Sequence, residues 1–196
     1  MQLMDAIKER RSIRRFSDRP IQREALLRVL QAGVEAPSAK NRQPWRFVVV
    51  TGDAREGMAQ AMLDGIGNIE ASMPDMAEFL KWARVTARVM RQAPATVLML
   101  DPGQKGFPLP RAVTEQMFLL ANTQSQGAAL ENMCLAAMGE GLGSLWINDV
   151  FFAYDELRAW LKTDEQLVSA MSLGYPLESP GRRPRKALAD ILEWRE

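Results

Sequence analysis

Histidine is absent from this chain, and cysteine occurs once, at Cys134. The first absence removes the Ser-His-Asp and Cys-His nucleophile systems and nearly all zinc sites, because each needs an imidazole as base or ligand. The second removes any internal disulfide and fits a reducing compartment, so the expected location is cytoplasmic. An excess of charge of one sign is also missing: 25 basic residues face 24 acidic ones. A nucleic-acid-binding chain normally carries a clear basic surplus. Long apolar runs are missing too. The longest, Phe47–Val50 and Val97–Leu100, are far too short to cross a bilayer. The start, Met1 to Arg11, lacks the apolar centre of a signal peptide. The expectation is a soluble protein with no membrane, nucleic-acid or metal partner.

What is present is the composition of one globular domain: 196 residues, 47% hydrophobic and 25% charged, with no repeat and no flexible linker. Met1–Arg11 reads as a short helix with Leu3 and Ile7 on one face. Gln22–Ala36 reads as a second, with Leu26, Leu27, Leu30 and Val34 inward, stopped by Pro37. Arg46–Thr51 is so continuously apolar that a central strand covered on both faces is expected. Residues 53–92 read as mostly helical. Ser72 and Asp75 have capping-box spacing with Pro74 in the first turn, and Met76, Phe79, Leu80, Ala83, Ala87 and Met90 recur at helical spacing. Thr96–Leu100 is a buried strand. Residues 111–138 form a long helix without charge between Glu115 and Glu131, expected at the centre of the fold. Ser144–Ile147 and Val168–Leu173 are strands, with a helix near Asp155–Leu161 between them. Leu188–Trp194 alternates weakly and reads as an edge strand. Helices and strands mix without a βαβ rhythm, which argues for an α+β sandwich over a doubly wound sheet.

Four segments hold groups suited to chemistry. Arg10-Arg11-Ser12-Ile13-Arg14 joins a helix end to a loop. Planar, permanently charged guanidinium forks beside a hydroxyl suit a phosphate, and the same residues suit a solvated helix C-terminus. Ala36-Pro37-Ser38-Ala39-Lys40-Asn41-Arg42-Gln43-Pro44-Trp45 offers amides, a hydroxyl and small residues before a strand; it fits a ligand loop or a plain connection. Gly139, Gly141 and Gly143 follow a helix and precede a strand, the reverse of a dinucleotide-binding fingerprint, so tight turning and close packing explain them. Arg182-Arg183-Pro184-Arg185-Lys186 is a second basic cluster, either solvated or converging with the first on one phosphate. Met58, Met62, Met73 and Met76 suit an adaptable pocket or core filling equally. With no histidine and one cysteine, difficult chemistry would fall to an organic cofactor.

These segments, with Gly141-Leu142-Gly143-Ser144-Leu145-Trp146-Ile147 and Gly174-Tyr175-Pro176, occur in the order and spacing of the FMN-dependent nitroreductase-like family. The chain resembles that family almost end to end; residues 52–92, a variable helical lid region, carry the resemblance least. The resemblance implies a three-layer sandwich with a central mixed or antiparallel sheet flanked by helices, in an intertwined homodimer with two FMN sites at the interface. It implies that Arg10, Arg11 and Ser12 hold the FMN phosphate and that Arg185 closes over it, with Arg183 as second candidate. Arg14 would lie by the flavin pyrimidine edge, where a cation stabilises developing negative charge. Pro37, Ser38, Ala39 and Asn41 would come from the other subunit, and Ile147 and Asn148 would supply backbone contacts near flavin N5. Asn148-Asp149 departs from the family's glycine pair or Glu-Gly, and the family's flavin-binding amide from the middle helix is not identifiable.

The activity implied is two-step hydride transfer through flavin N5, from NADH or NADPH to a nitroaromatic, quinone or related conjugated electrophile, with no protein side chain as catalyst. Other flavin chemistry on the same fold (reductive dehalogenation, enal reduction, flavin fragmentation) is the alternative. A non-enzymatic anion- or nucleic-acid-binding module is the remaining reading.

Overall fold

The computed structural model describes residues 2–107 and 112–196. Met1 and Arg111, the first residues of two expected helices, lie outside them. In chain order the elements are α1 (Leu3–Glu9), α2 (Arg23–Val34), β1 (Arg46–Thr51), α3 (Ala54–Ser72), α4 (Ala77–Gln92), β2 (Ala95–Lys105), α5 (Val113–Gly139), β3 (Gly143–Ile147), α6 (Tyr154–Leu161) and β4 (Glu165–Gly174). Short 3-10 turns sit at Ala39–Asn41, Pro74–Met76, Asp149–Ala153 and Leu188–Asp190.

The four strands run in the order β1-β2-β4-β3, and every neighbouring pair is antiparallel. Successive residues of a strand face opposite sides, so β2 feeds two cores. Leu98 and Leu100 join Ile147 and Ala170 beneath α3, α4 and α6. Val97 and Met99 join Met171 and Leu173 beneath α2 and α5. The result is the expected α+β sandwich of helices, sheet and helices. Each fully buried Leu or Met on these faces contributes about 1.5–3 kcal/mol over exposure.

Several expectations need correction. Strand β1 is an edge of the sheet, not its centre. It pairs only with β2 among the described residues, and Val49 is exposed; Val48 and Val50 pack into one core and Phe47 against the other. In α2 the core stripe is Leu26, Val29 and Gly33, because α5 packs on that side, and Leu27 and Val34 are exposed. Leu3 and Ile7 are likewise exposed, and only Ala6 of α1 is buried.

Ser72 caps nothing: its hydroxyl donates back to the Asn68 and Ile69 carbonyls at the end of α3. Pro74 opens the turn that leads into α4. There Leu80, Ala83, Ala87 and Met90 are buried, while Phe79 lies outside and meets Phe152 edge to face. Met58 and Met62 are wholly buried, which settles them as core, whereas Met73 is exposed.

Helix α5 is not buried along its whole length. From Asn122 onward it faces the core, but Val113, Met117 and Leu120 are exposed. The tail forms no strand among the described residues; Leu188–Asp190 is a 3-10 turn, and Ile191 and Trp194 face outward. Among the described residues its backbone bonds are local, from Asp190 to Ala187 and from Ile191 to Leu188, and pair it with no other strand.

Candidate functional site

The two basic segments meet. Arg10, Arg11, Ser12 and Arg14 line a cavity of about 300 Å³ together with Pro180, Gly181, Arg183 and Arg185. Two local structures bring them there. The N-terminal segment lies along β3 through a parallel bridge of Ser12 with Ser144, in which the Ile13 N–H donates to the Ser144 carbonyl at 2.9 Å. Gly143 permits this closeness, since a Cβ there would fall 2.7 Å from Ile13 Cγ1. The chain leaving β4 then runs beside residues 15–17. The Ser17 N–H donates to the Tyr175 carbonyl and the Leu177 N–H to the Arg15 carbonyl, each at 2.9 Å.

The cavity is strongly cationic. Arg10 has an ion pair, its Nε 3.4 Å from Glu131 of α5. Among the described residues, Arg11, Arg14, Arg183 and Arg185 have no carboxylate within ion-pair distance. Arg11 Nη1 donates to the Lys8 and Arg10 carbonyls at 2.8 Å, and Arg185 Nη1 to those of Arg183 and Pro184. Arg11 Nε is buried with no partner, an orphan donor of the kind an anion satisfies. Guanidinium groups gathered this closely repel one another unless an anion sits among them, so the donor set fits a phosphate. A larger cavity, about 600 Å³, runs between α2 and the β1 edge. Its walls are largely aliphatic, and the chemistry-bearing groups gather at the smaller one.

The loop of residues 36–45 does not line the arginine cavity. It is held in an uncommon shape: Lys40, Asn41 and Gln43 have φ of 54°, 52° and 48°. Left-handed backbone at non-glycine residues is costly, and three in one loop persist only because the surroundings fix them. The Ser38 hydroxyl accepts from the Gln43 N–H at 2.9 Å, and the Ala39 N–H donates to Ser125 Oγ of α5 at 3.2 Å. Gln126 of α5 donates to the Pro44 carbonyl at 2.5 Å. Pro37, Ala39 and Asn41 are exposed.

At the end of β3, Ile147 is buried and Asn148 exposed. Asn148 Oδ1 accepts from Trp146 Nε1 at 3.1 Å and from the Ser169 hydroxyl at 3.2 Å. Asp149 accepts from the Thr86 hydroxyl of α4, so this carboxylate ties the turn after β3 to the helical layer.

Sequence reasoning missed two parts of this region. One is Glu178, whose Oε1 accepts the backbone N–H groups of Arg14 at 2.5 Å and Arg15 at 3.2 Å. The other is a buried polar group of Asp101, Asn122 and Gln126 beneath the loop. Its signal was available: Asn122-Thr123-Gln124-Ser125-Gln126 is a polar stretch inside an otherwise apolar helix. Among the described residues, no cluster of His, Cys, Asp or Glu is arranged to hold a metal, and no helix is long and apolar enough to cross a membrane.

The chain is similar in sequence to a protein of Archaeoglobus fulgidus whose name provisionally gives it as an NADH dehydrogenase/NAD(P)H nitroreductase; the two are 33% identical over 85% of this chain and 81% of that protein. A BluB-like flavoprotein from Clostridium difficile 630 superposes over all of both chains with a TM-score of 0.86 and 27% identity. A protein of Desulfovibrio desulfuricans, provisionally a nitroreductase and solved in complex with FMN, superposes with a TM-score of 0.76 and 26% identity over 100% of this chain and 98% of its own. The family pattern described as "Nitroreductase family" matches residues 7–175, from α1 through the end of β4. Fold, order of motifs and sequence therefore agree, and the chain belongs to the nitroreductase family.

Proposed function

We propose that this chain is an FMN-dependent oxidoreductase that moves hydride from NADH or NADPH to a nitroaromatic, quinone or related conjugated electrophile, working as a homodimer. The observation that carries the reading is the arginine cavity built from both ends of the chain, in which four guanidinium groups have no carboxylate within ion-pair distance among the described residues. FMN in the Desulfovibrio desulfuricans structure and the nicotinamide donors in the name of the Archaeoglobus fulgidus relative support it. Bound FMN supplies a hydride relay that the side chains here do not offer.

In this reading Arg10, Arg11, Ser12, Arg183 and Arg185 hold the phosphate. Arg14 stands toward the ring, where its charge offsets negative charge developing there. Ile147 and Asn148 bring backbone groups to the N5 edge. Pro37, Ser38, Ala39 and Asn41 reach across from a second copy, which accounts for a rigid, exposed loop that does not line its own arginine cavity. Exposed apolar residues on α1, the start of α5 and the tail (Leu3, Met117 and Trp194 among them) offer the surface a second copy covers. The outer face of α4, with Phe79 and Trp82 exposed, acts as the lid that selects the acceptor.

The test is an absorbance spectrum of the freshly purified protein, followed by anaerobic titration with NADH and with NADPH. Bound FMN that bleaches with one of them, and recovers with a nitroaromatic or quinone, supports the reading. Folded protein that neither carries nor takes up FMN ends it.

A further inference from the structure

We infer that Glu178 is the clasp that joins the two basic segments into one anion pocket, a positioning residue and not a ligand of the anion. The inference rests on reading the arginine cavity as the FMN phosphate site.

A single carboxylate oxygen of Glu178 accepts two consecutive backbone N–H groups, from Arg14 and Arg15. The contact spans 164 residues of sequence. It fixes the backbone of the N-terminal loop, so the Arg14 side chain leaves from a defined point. On the other side, Glu178 stands directly before Ser179-Pro180-Gly181, where the chain turns to carry Arg183 and Arg185 back over the cavity. The bridge of Phe16 with Pro176 and the two backbone bonds flanking it bring the strands together. Among the described residues, Glu178 makes the last hydrogen bonds to the N-terminal segment before the basic arm. Beyond it, among the described residues, Arg185 donates to carbonyls of its own segment, those of Arg183 and Pro184. The side chain is half-buried, so its charge is not fully screened.

Two effects of removing this carboxylate oppose each other. Loss of a negative charge beside an anion site favours the anion by simple electrostatics. Loss of charge-assisted hydrogen bonds to the loop scatters the arginines and disfavours it. Two bonds from one carboxylate to adjacent N–H groups fix geometry directly, whereas the charge acts at a distance through partly solvated surroundings. Positioning therefore wins, and the variant binds phosphate worse, not better.

The experiment compares FMN, riboflavin and inorganic phosphate binding to the full chain and to Glu178→Ala and Glu178→Gln. Calorimetry gives the affinities, and thermal unfolding reports the folded state. Glu178→Ala weakens FMN about tenfold or more, Glu178→Gln about fivefold, and riboflavin stays within about twofold of the parent protein. The glutamine variant keeps the side-chain shape and carries the test if the alanine variant fails to fold. FMN binding that is unchanged or tightened overturns the clasp. So does an equal loss for FMN and riboflavin, since that marks general damage. If the parent protein binds riboflavin-type ligands or FMN not at all, the flavin reading falls by itself, and phosphate decides the clasp: weaker phosphate binding in the variants supports it, while equal binding, or none in the parent, overturns it.

Discussion

The side-chain amide of Gln126 donates to the carboxylate of Asp101 at 3.2 Å, and both residues are buried. The same amide donates to the Pro44 carbonyl. Asp101 also accepts from Asn122 and from the Gly103 N–H, each at 2.9 Å. The carboxylate thus fixes the α5 amide that holds the end of the 36–45 loop. Asp101→Ala strands buried donors on Asn122 and Gln126, each costing about 1–3 kcal/mol. The expected loss is about 3 kcal/mol in urea unfolding. Weaker flavin retention accompanies it if the loop reaches the cofactor of a second copy.

Gly65 of α3 lies against the turn after β3: a Cβ there would fall 2.4 Å from the Ala153 Cα. Backbone cannot move aside as a side-chain tip can. Gly65→Ala therefore costs about 1–3 kcal/mol by overpacking and displaces the turn that carries Asp149. Thermal unfolding of the variant checks the cost.

Cys134 is buried in α5, and burial pushes its thiol from 9.0 up to about 11. Thiol reagents at pH 8 should leave the native protein unlabelled and react once denaturant is added. The raised value makes the folded state hold its proton longer than the unfolded one. This contribution is intact below pH 9.0 and is lost as pH rises toward about 11.

The acid side has the opposite sign. Hydrogen bonds from Arg28 and Lys105 hold the carboxyls of Glu140 and Asp164 below their ordinary 4.5 and 3.8. Their stabilisation is present above those values and fades as pH falls through the lowered ones. Lys105, Asp164 and Arg28 are exposed and Glu140 is half-buried, so salt screens both pairs and the effect is small. Urea midpoints at pH 6 and pH 3, with and without added salt, measure it.

Much of this was legible in the sequence because local rules operate there. The continuous apolar run of Val97–Leu100 and the helical spacing of Leu80, Ala83, Ala87 and Met90 read correctly, since each marks burial without reference to a partner. The arginine segments stood out by charge alone. What failed depends on neighbours far along the chain. Phe47–Val50 has the pattern of a central strand, yet the order of strands puts it at the edge. Ser72 and Asp75 have capping spacing, but the helix before them uses Ser72 as its own last residue. Glu178 looks like any surface glutamate until the chain beyond β4 folds beside residues 14–17, and Asp101 looks like a strand terminus until α5 covers it.

Binding of FMN compared with riboflavin, to the parent protein and to Arg10→Ala and Arg185→Ala, tests the central claim most directly. A phosphate held between the two ends of the chain predicts tight FMN binding in the parent and a loss of about tenfold or more for each arginine variant, with riboflavin affinity unchanged. FMN bound no better than riboflavin by the parent, or equally well by the variants, contradicts it.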